Sequence, residues 1–256
     1  MSILFESLVF GPISSRRLGK SLGINLMPEI GKICSFDCIY CECGWNQSIV
    51  HPILPTRDEI KTALESKLSA MAVKGDALDV ITFSGNGEPT LHPDFLPIIQ
   101  DTCALRDRYY PQAKVSVLSN STQLGRAEIR EALRLCDNRI LKLDAGTSTM
   151  LRCIDKPVNK QLTIDTIVEW LAQWKGDFTL QTCFLRGEHG GQVIDNTTSE
   201  ELEAWYAIVR QLRPKQIMIY VIDRQTPEER LEKISRERME QIAAPLIAEG
   251  FDVLIS

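Results

Sequence analysis

Two patterns of apolar and polar residues alternate along the chain. Short runs rich in apolar and β-branched residues begin near six positions, namely Leu22, Asp79, Lys114, Arg139, Phe178 and Gln216. Between these runs, apolar residues recur every three or four positions, as they do on one face of a helix. Strands that alternate with helices predict an α/β fold built on a parallel sheet.

The clearest predicted helix covers residues 56–74. Its apolar residues fall on one face, and it opens with the capping box Thr56-x-x-Glu59. The same periodicity predicts helices over 96–109, 127–135, 163–174 and 198–212. A second capping-box sequence at Thr226–Glu229 precedes a last helix over 235–249, and residues 251–255 are predicted to form a short terminal strand or tail.

The first strand-to-strand connection is far longer than the others. It contains Lys32 to Gly44, KICSFDCIYCECG, in which Cys34, Cys38 and Cys41 have the spacing C-x3-C-x2-C. Loops that follow parallel strands lie at the carboxyl ends of those strands, where α/β folds place their active sites. We therefore expect the cysteine loop at an active-site rim. The periodicity fits both an open doubly wound sheet and a partial barrel.

Three closely spaced thiolates can hold three irons of a 4Fe-4S cluster and leave the fourth iron open to a second molecule. Two other interpretations fit the same residues. Cys38-x2-Cys41 alone suits zinc or a redox pair, and Cys43 could supply a further thiolate. The spacing therefore predicts a metal site without deciding its metal.

Composition narrows the class of protein. The chain has 256 residues, of which 44% are hydrophobic and 25% are charged, as in soluble globular proteins. It has no run of ~18 apolar residues and no secretory signal pattern, so we expect a cytoplasmic location. Its eight cysteines then favour metal binding or buried thiols over disulfides. The net charge of −5 argues against a broad nucleic-acid surface, although Arg16, Arg17 and Lys20 form a local basic cluster.

Polar residues follow several other predicted strands at the same rim. After the second strand comes SGNGEPT, whose glycines allow close backbone approach and whose Glu88 carboxylate could fix an ammonium group. An ordinary turn is the alternative. The next three strands are followed by pairs of polar residues that could surround one cavity with donors for a carboxylate and a ribose: Ser119 and Asn120, Lys142 and Asp144, and Arg186 and Glu188.

The cysteine loop, with Tyr40 just before its last cysteine, and the Gly-x-Gly-Glu element resemble the radical S-adenosylmethionine (SAM) superfamily along the whole chain. Six further segments resemble a small group of radical SAM proteins described as iron-sulfur oxidoreductases, related to the enzymes that build the wybutosine base in tRNA. These segments read GPISSRRLGKSLGINL, CSFDCIYCECG, TFSGNGEPTLHPDF, LKLDAGT, QTCFLRGE and IYVIDRQTPEERLEKIS.

The resemblance implies a partial (β/α)6 barrel with parallel strands inside and helices outside. It implies one domain over 1–256, with a cluster loop at 28–45 and a C-terminal extension at 226–256. The implied cofactors are a 4Fe-4S cluster and SAM, and the implied partner is a reductant such as flavodoxin or ferredoxin, with no membrane. The implied reaction is reductive cleavage of SAM to methionine and a 5'-deoxyadenosyl radical that abstracts a hydrogen atom from substrate.

The resemblance also assigns roles to residues of this sequence. Cys34, Cys38 and Cys41 would ligate the cluster. Residues that would contact SAM come from the ends of five strands and from the cysteine loop: Tyr40, Gly85, Asn86, Gly87, Glu88, Ser119, Asn120, Lys142, Asp144, Arg186, Tyr220 and Ile222. Among them, Asn86 departs from the two adjacent glycines of many members, so one backbone contact is expected to differ.

Two residues are candidates for catalysis itself. Lys142 is one, and Cys183 on the fifth predicted strand is the other. If Cys183 faces inward near the rim, its thiol could donate a hydrogen atom to a substrate radical; packing as a small apolar residue is the alternative.

Three functions stay open at the level of sequence. One is a radical SAM enzyme acting on tRNA or a nucleotide. A second is a radical activase acting on a protein such as a glycyl-radical enzyme. The third is a non-enzymatic zinc or iron-sulfur binding protein. In either enzyme, the loop at 187–197, which contains His189, is expected to meet the substrate.

Overall fold

The structure is a computed structural model that describes residues 3–15, 17–47 and 52–256. Its strands, in chain order, are β1 (Val9–Ser15), β2 (Gly19–Ile24), β3 (Val80–Phe83), β4 (Lys114–Ser119), β5 (Asn138–Lys142), β6 (Thr179–His189), β7 (Gln192–Asp195), β8 (Gln216–Val221), β9 (Leu231–Lys233) and β10 (Val253–Ile255). Its helices are α1 (Arg57–Lys74), α2 (Phe95–Tyr109), α3 (Ala127–Arg134), α4 (Ser148–Ile154), α5 (Ile164–Ala172), α6 (Ser199–Leu212) and α7 (Arg236–Ala248).

One twisted sheet organises these elements, with strand order β1-β2-β3-β4-β5-β6-β8-β10. All neighbours from β2 to β10 in this order are parallel, and β1 is antiparallel to β2 at one end. Strands β7 and β9 pair antiparallel with the carboxyl-terminal part of β6. The loops that follow the parallel strands therefore lie together at the carboxyl ends of those strands.

Helices form where an apolar stripe can cover the sheet. In α1, Ile60, Leu64, Leu68 and Met71 are buried, which is the face predicted from the sequence. The helix begins at the predicted capping box of Thr56 and ends at Gly75, whose φ of 71° is the left-handed conformation of a helix C-cap. Burial on both faces of the sheet explains why all four residues of β3 are buried rather than alternately buried and exposed.

The predicted α/β class is confirmed. The six predicted strands correspond to β2, β3, β4, β5, β6 and β8, and the predicted helices correspond to α1, α2, α3, α5, α6 and α7. The terminal strand is also present, since β10 pairs in parallel with β8. None of the helices in the described part of the chain is both long and apolar enough to cross a lipid bilayer.

Two local predictions are wrong. Thr226–Glu229 does not begin a helix: the Thr226 hydroxyl donates to the backbone carbonyl of Glu228 in a turn, and α7 begins ten residues later behind the cap Ser235. The segment 187–197 is not a simple loop either, because β6 continues to His189 and forms a hairpin with β7. The extended β6 pairs with β7 in this hairpin, and the chain that follows the turn at Thr226 pairs with β6 as β9.

Strand β1 and helix α4 were not predicted. β1 contains Gly11-Pro12, a pair typical of turns, and its pairing with β2 shifts register between Phe10 and Ile13. Helix α4 has seven residues, too few for a periodic pattern to stand out.

Candidate active site

A cavity of about 330 Å³ lies at the carboxyl ends of the parallel strands. All three motif cysteines line it. Nine of the other predicted residues line it with them: Tyr40, Gly85, Gly87, Glu88, Ser119, Asn120, Lys142, Tyr220 and Ile222. The strand ends thus bring together residues up to 188 positions apart, from Cys34 to Ile222.

The cysteine loop lies directly against the end of β3. Ile33 and Gly87 form a parallel bridge, in which the Ile33 amide donates to the Asn86 carbonyl at 3.0 Å and the Glu88 amide donates to the Ile33 carbonyl at 3.1 Å. Gly87 has a φ of 144°, and a Cβ there would lie 1.7 Å from the Ile33 carbonyl oxygen. Only glycine permits this approach.

Lys32 places a positive charge inside the loop. Its side chain is 1% exposed, and its ammonium donates to the Gly44 carbonyl at 3.0 Å and to Asp37 at 3.3 Å. Burial by itself lowers the pKa of Lys32, but the nearby thiols of Cys41, Cys38 and Cys34 raise it, and the net shift is upward. The positive charge of Lys32 would therefore stabilise negatively charged thiolates in this loop.

Lys142 places a second positive charge beside the thiols. Its ammonium lies 2.9 Å from the Cys38 sulfur, 3.1 Å from an Asp144 oxygen and 2.5 Å from an Asp155 oxygen. Burial lowers the pKa of Lys142, whereas Asp144 and Asp155 raise it, and the net value lies well above the usual one. These contacts with two carboxylates and a thiol give Lys142 a positioning role, and its predicted catalytic role stays a prediction.

Asp155 was missed by the sequence analysis. It follows α4 and is 1% exposed; the Cys38 thiol donates to its Oδ1 at 3.3 Å. Its other oxygen, Oδ2, has no hydrogen-bond partner among the described residues. Burial, as the largest cause, raises the pKa of Asp155 to about 7. No sequence signal joins it to Cys38, which is 117 positions away.

The donor set fits an iron-sulfur cluster. Burial raises the pKa of Cys34 to about 11, whereas a hydrogen bond with Cys43 is the main cause that lowers the pKa of Cys41 to about 6. Burial disfavours the thiolate form, and bound iron would offset this effect because iron-sulfur clusters are held by thiolates. Among the described residues, no group of three or more His, Cys, Asp or Glu side chains is placed around a single-ion site. All three thiols line one cavity, and the buried ammonium groups of Lys32 and Lys142 lie near them.

Glu88 joins the end of β3 to the end of β4. It is 2% exposed and accepts hydrogen bonds from the Thr90 amide and hydroxyl, from the Ser119 hydroxyl at 2.9 Å and from the Asn120 amide at 2.6 Å. Burial is the largest cause of its raised pKa, and the four donors oppose that shift. The Asn120 side chain in turn donates to the Ser35 hydroxyl at 2.9 Å, which ties the cysteine loop to the same group.

Two tyrosines form another part of the wall. The Tyr40 hydroxyl donates to Asp144, and the hydroxyls of Tyr40 and Tyr220 lie 3.3 Å apart. Asp144 is 1% exposed, does not line the cavity and also accepts the Cys183 amide at 2.8 Å. In this geometry Asp144 lies behind the cavity wall and contacts Tyr40 and Lys142, so its predicted contact with SAM stays a prediction.

Three other predicted residues lie away from the cavity. The Asn86 side chain bonds to the backbone of Phe5 and Pro28. Arg186 is on the outer hairpin, where it pairs with Glu232 at 2.8 Å. Cys183 is fully buried in a small apolar cluster and does not line the cavity, so its thiol has no access to a substrate there.

Arg17 is the cavity residue that the sequence analysis assigned differently. The sequence placed it in a basic surface cluster with Arg16 and Lys20, and Arg16 lies outside the described residues. Arg17 instead reaches the cavity wall, with its guanidinium 5.1 Å from the centre of the Tyr220 ring. No pattern in the sequence distinguishes its inward direction from that of a surface arginine.

Comparison with known proteins identifies the family. The profile of the Radical SAM superfamily matches residues 29–189, which is more than half of the chain. The chain belongs to the radical SAM superfamily. The matched segment covers residues 29–189 and ends with β6, so it contains the three cysteines and the ends of β3, β4 and β5 that line the cavity.

Two curated relatives of this radical SAM protein differ in how much of their length they share with it. A protein named GTPase Obg from Brachyspira hyodysenteriae is 32% identical over 239 residues, which is 91% of this chain and 32% of that protein. A UPF0026 protein from Helicobacter pylori is 28% identical over 219 residues, 85% of this chain and 67% of its own length. This chain thus spans about a third of the first relative and about two thirds of the second.

Two solved structures have the same fold. SuiB from Streptococcus suis, solved with bound S-adenosylmethionine, has a TM-score of 0.64 and 13% identity, with 91% of this chain and 50% of SuiB covered. TYW1, solved with a lysine-pyruvate adduct bound, has a TM-score of 0.59 and 14% identity, with 89% of this chain and 73% of TYW1 covered. The predicted partial barrel and the family resemblance are confirmed.

Proposed function

We propose that this radical SAM protein holds a 4Fe-4S cluster on Cys34, Cys38 and Cys41 and cleaves SAM reductively. When bound and reduced by a one-electron donor such as flavodoxin or ferredoxin, the cluster supplies the electron that splits SAM into methionine and a 5'-deoxyadenosyl radical, which takes a hydrogen atom from substrate. We take residues 1–256 as one domain for this reaction.

One observation carries the proposal: the three motif cysteines line one cavity with the Gly-Asn-Gly-Glu turn and the ends of β4, β5 and β8. A loop that only binds a metal does not require residues from several strand ends around the same cavity. A cavity at the carboxyl ends of parallel strands is the position that α/β enzymes use for catalysis.

The chain's own residues would bind and orient SAM. The backbone at Gly85 and Gly87, with Glu88 between β3 and β4, forms the side of the cavity nearest the cysteine loop and would receive the methionine amino group. Ser119 and Asn120 follow on β4 as partners for the ribose or carboxylate. Tyr40, Tyr220 and Ile222 also line the cavity and would contact the adenine.

The two buried lysines would tune the site without taking part in bond making. Lys32 and Lys142 each place an ammonium beside the thiols, and both are charged at neutral pH because their pKa values are raised. Positive charge beside a cluster stabilises thiolates and favours added electrons. Their expected effect is therefore on cluster retention and reduction.

Anaerobic reconstitution tests the proposal. The full chain is loaded with iron and sulfide, reduced with dithionite and mixed with SAM, and 5'-deoxyadenosine is measured by mass spectrometry. We expect brown protein with about four irons per chain and formation of 5'-deoxyadenosine. Cys34→Ala, Cys38→Ala and Cys41→Ala should each abolish the product.

Cys103→Ala is the matched control, because this thiol lies on α2 and contacts the Leu135 carbonyl rather than the cavity. It should form 5'-deoxyadenosine at the rate of the unchanged chain. A colourless protein that carries zinc in place of iron, or product from any of the three motif variants, would contradict the proposal.

A further inference from the structure

Arg17 occupies an unusual place in the fold. It lies in the turn between β1 and β2, where the Ser15 hydroxyl accepts the amides of Arg17 and Leu18 at 3.3 and 3.2 Å. Its guanidinium contacts Tyr220 on β8. Because β2 and β8 lie near opposite ends of the sheet order, Arg17 crosses the lateral opening of the partial barrel.

The guanidinium also lies between two cavities. Arg17, Ser84, Leu118 and Gln181 line both the large cavity that contains the cysteines and a smaller one of about 140 Å³ inside the barrel. The smaller cavity is enclosed by inward-facing residues of the parallel strands, such as Thr82. A molecule in the large cavity can therefore extend a small group past Arg17 into the barrel.

Arg17 has no counter-ion in the part of the chain that the structure describes. Within the described residues no carboxylate pairs with it, and its Nη1 atom is buried with no hydrogen-bond partner. Two other charged residues that line the large cavity are paired: Arg224 pairs with Glu42 at 2.8 Å, and Asp223 pairs with Lys233 at 3.2 Å. A buried donor left unpaired is costly, so its retention calls for a ligand.

Neutral donors lie beside it. Gln181 on β6 is 8% exposed, and neither its side-chain amide nor the Ser84 hydroxyl has a hydrogen-bond partner in the described part of the chain. A guanidinium fork with an amide and a hydroxyl is a donor set for a group with two or three anionic oxygens. The barrel cavity has room for such a group, since its volume equals about five water molecules at ~30 Å³ each.

We infer that Arg17, with Gln181 and Ser84, binds a carboxylate or phosphate group of the substrate at the boundary between the cluster cavity and the barrel interior. This inference rests on the proposed function for the identity of the large cavity. It narrows the substrate to an anionic molecule whose charged end enters the barrel. The carboxylate of SAM is the other source of the same chemistry, and the experiment below separates the two.

Phosphate binding tests the site on the full, cluster-loaded chain. Inorganic phosphate is titrated by calorimetry in the presence of saturating SAM, and acetate serves as the carboxylate probe. We expect phosphate or acetate to bind the SAM-saturated protein, and Arg17→Gln to weaken that binding by about tenfold or more. The phosphate affinity of Arg17→Lys should lie between those of the unchanged chain and Arg17→Gln, because lysine keeps the charge but lacks the planar guanidinium.

Arg224→Gln is the control, since it removes an arginine from the rim of the same cavity; it should change phosphate affinity by less than about twofold. Equal affinity of the unchanged chain and of Arg17→Gln, with an unchanged melting temperature, would overturn the inference. So would competition between phosphate and SAM, which would assign Arg17 to the SAM carboxylate. Neither outcome bears on whether 5'-deoxyadenosine forms, so failure of this inference and failure of the proposed function are distinguishable.

Discussion

At the scale of single residues, the site depends on contacts that tolerate no substitute. Gly87 allows the cysteine loop to lie against β3, and Lys142 holds two aspartates and a cysteine at once. Each of these residues acts through its neighbours, so a change at either position alters the site and the stability of the barrel together.

Gly87→Ala should lower the free energy of unfolding by about 3 kcal/mol, because the new Cβ meets a backbone carbonyl at a φ that strains alanine. Urea denaturation measures this loss. Gly190→Ala is the control: its φ of 59° is also left-handed, but its Cβ would have no atom within 4 Å, so about 1 kcal/mol is expected. Equal losses would show that the contact with Ile33 is not what requires Gly87.

Lys142→Gln should destabilise the fold by about 3 kcal/mol or more, since it leaves Asp144 and Asp155 buried without their cation. Lys215→Gln removes an exposed lysine 3.4 Å from Asp177 and should cost about 0.5 kcal/mol or less. Thermal and urea unfolding of both variants check the difference. The proposed network would be refuted by a Lys142→Gln variant as stable as Lys215→Gln.

At the scale of elements, periodicity predicted most of the fold because each long helix covers the sheet with one apolar stripe. The capping-box letters at Thr56 and Thr226 are alike, yet only the first begins a helix. After Thr226 the chain turns and supplies β9 to the extended β6, so a long-range pairing overrides a local signal. The cysteines, glycines and Glu88 were predictable from spacing; Asp155 was not, because no local pattern marks which distant loop will meet Cys38.

Thr56→Ala should lower stability by about 1 kcal/mol, the usual loss for a removed N-cap. Thr226→Ala has the same chemical change in a similar local sequence but caps no helix, so helicity measured by circular dichroism should be unchanged. Urea midpoints of the two variants compare the effects. A loss of helicity in Thr226→Ala would indicate that this segment is helical in solution.

At the scale of the whole molecule, the cysteine loop connects distant parts of the sheet. It lies on β3 through Ile33, on the end of β4 through Asn120 and on the end of β5 through Lys142. A cluster bound to all three thiols would therefore stabilise the folded chain as a unit, because an unfolded chain does not hold the thiols together.

Loading the cluster should raise the melting temperature by about 5 °C or more. Anaerobic calorimetry of the protein with and without iron and sulfide measures the shift. Cys103→Ala should show the same rise, whereas Cys38→Ala should show none. An unchanged melting temperature after cluster loading would show that the three thiols do not bind one common cluster.

The burial of Lys32 has a practical consequence. An amine that is 1% exposed cannot meet an acylating reagent while the loop that surrounds it is closed. Pulse labelling with such a reagent, followed by peptide mass spectrometry, would therefore time each opening of the loop by the modification of one side chain. Because Cys34, Cys38 and Cys41 belong to the same loop, binding of iron and sulfide should slow this modification.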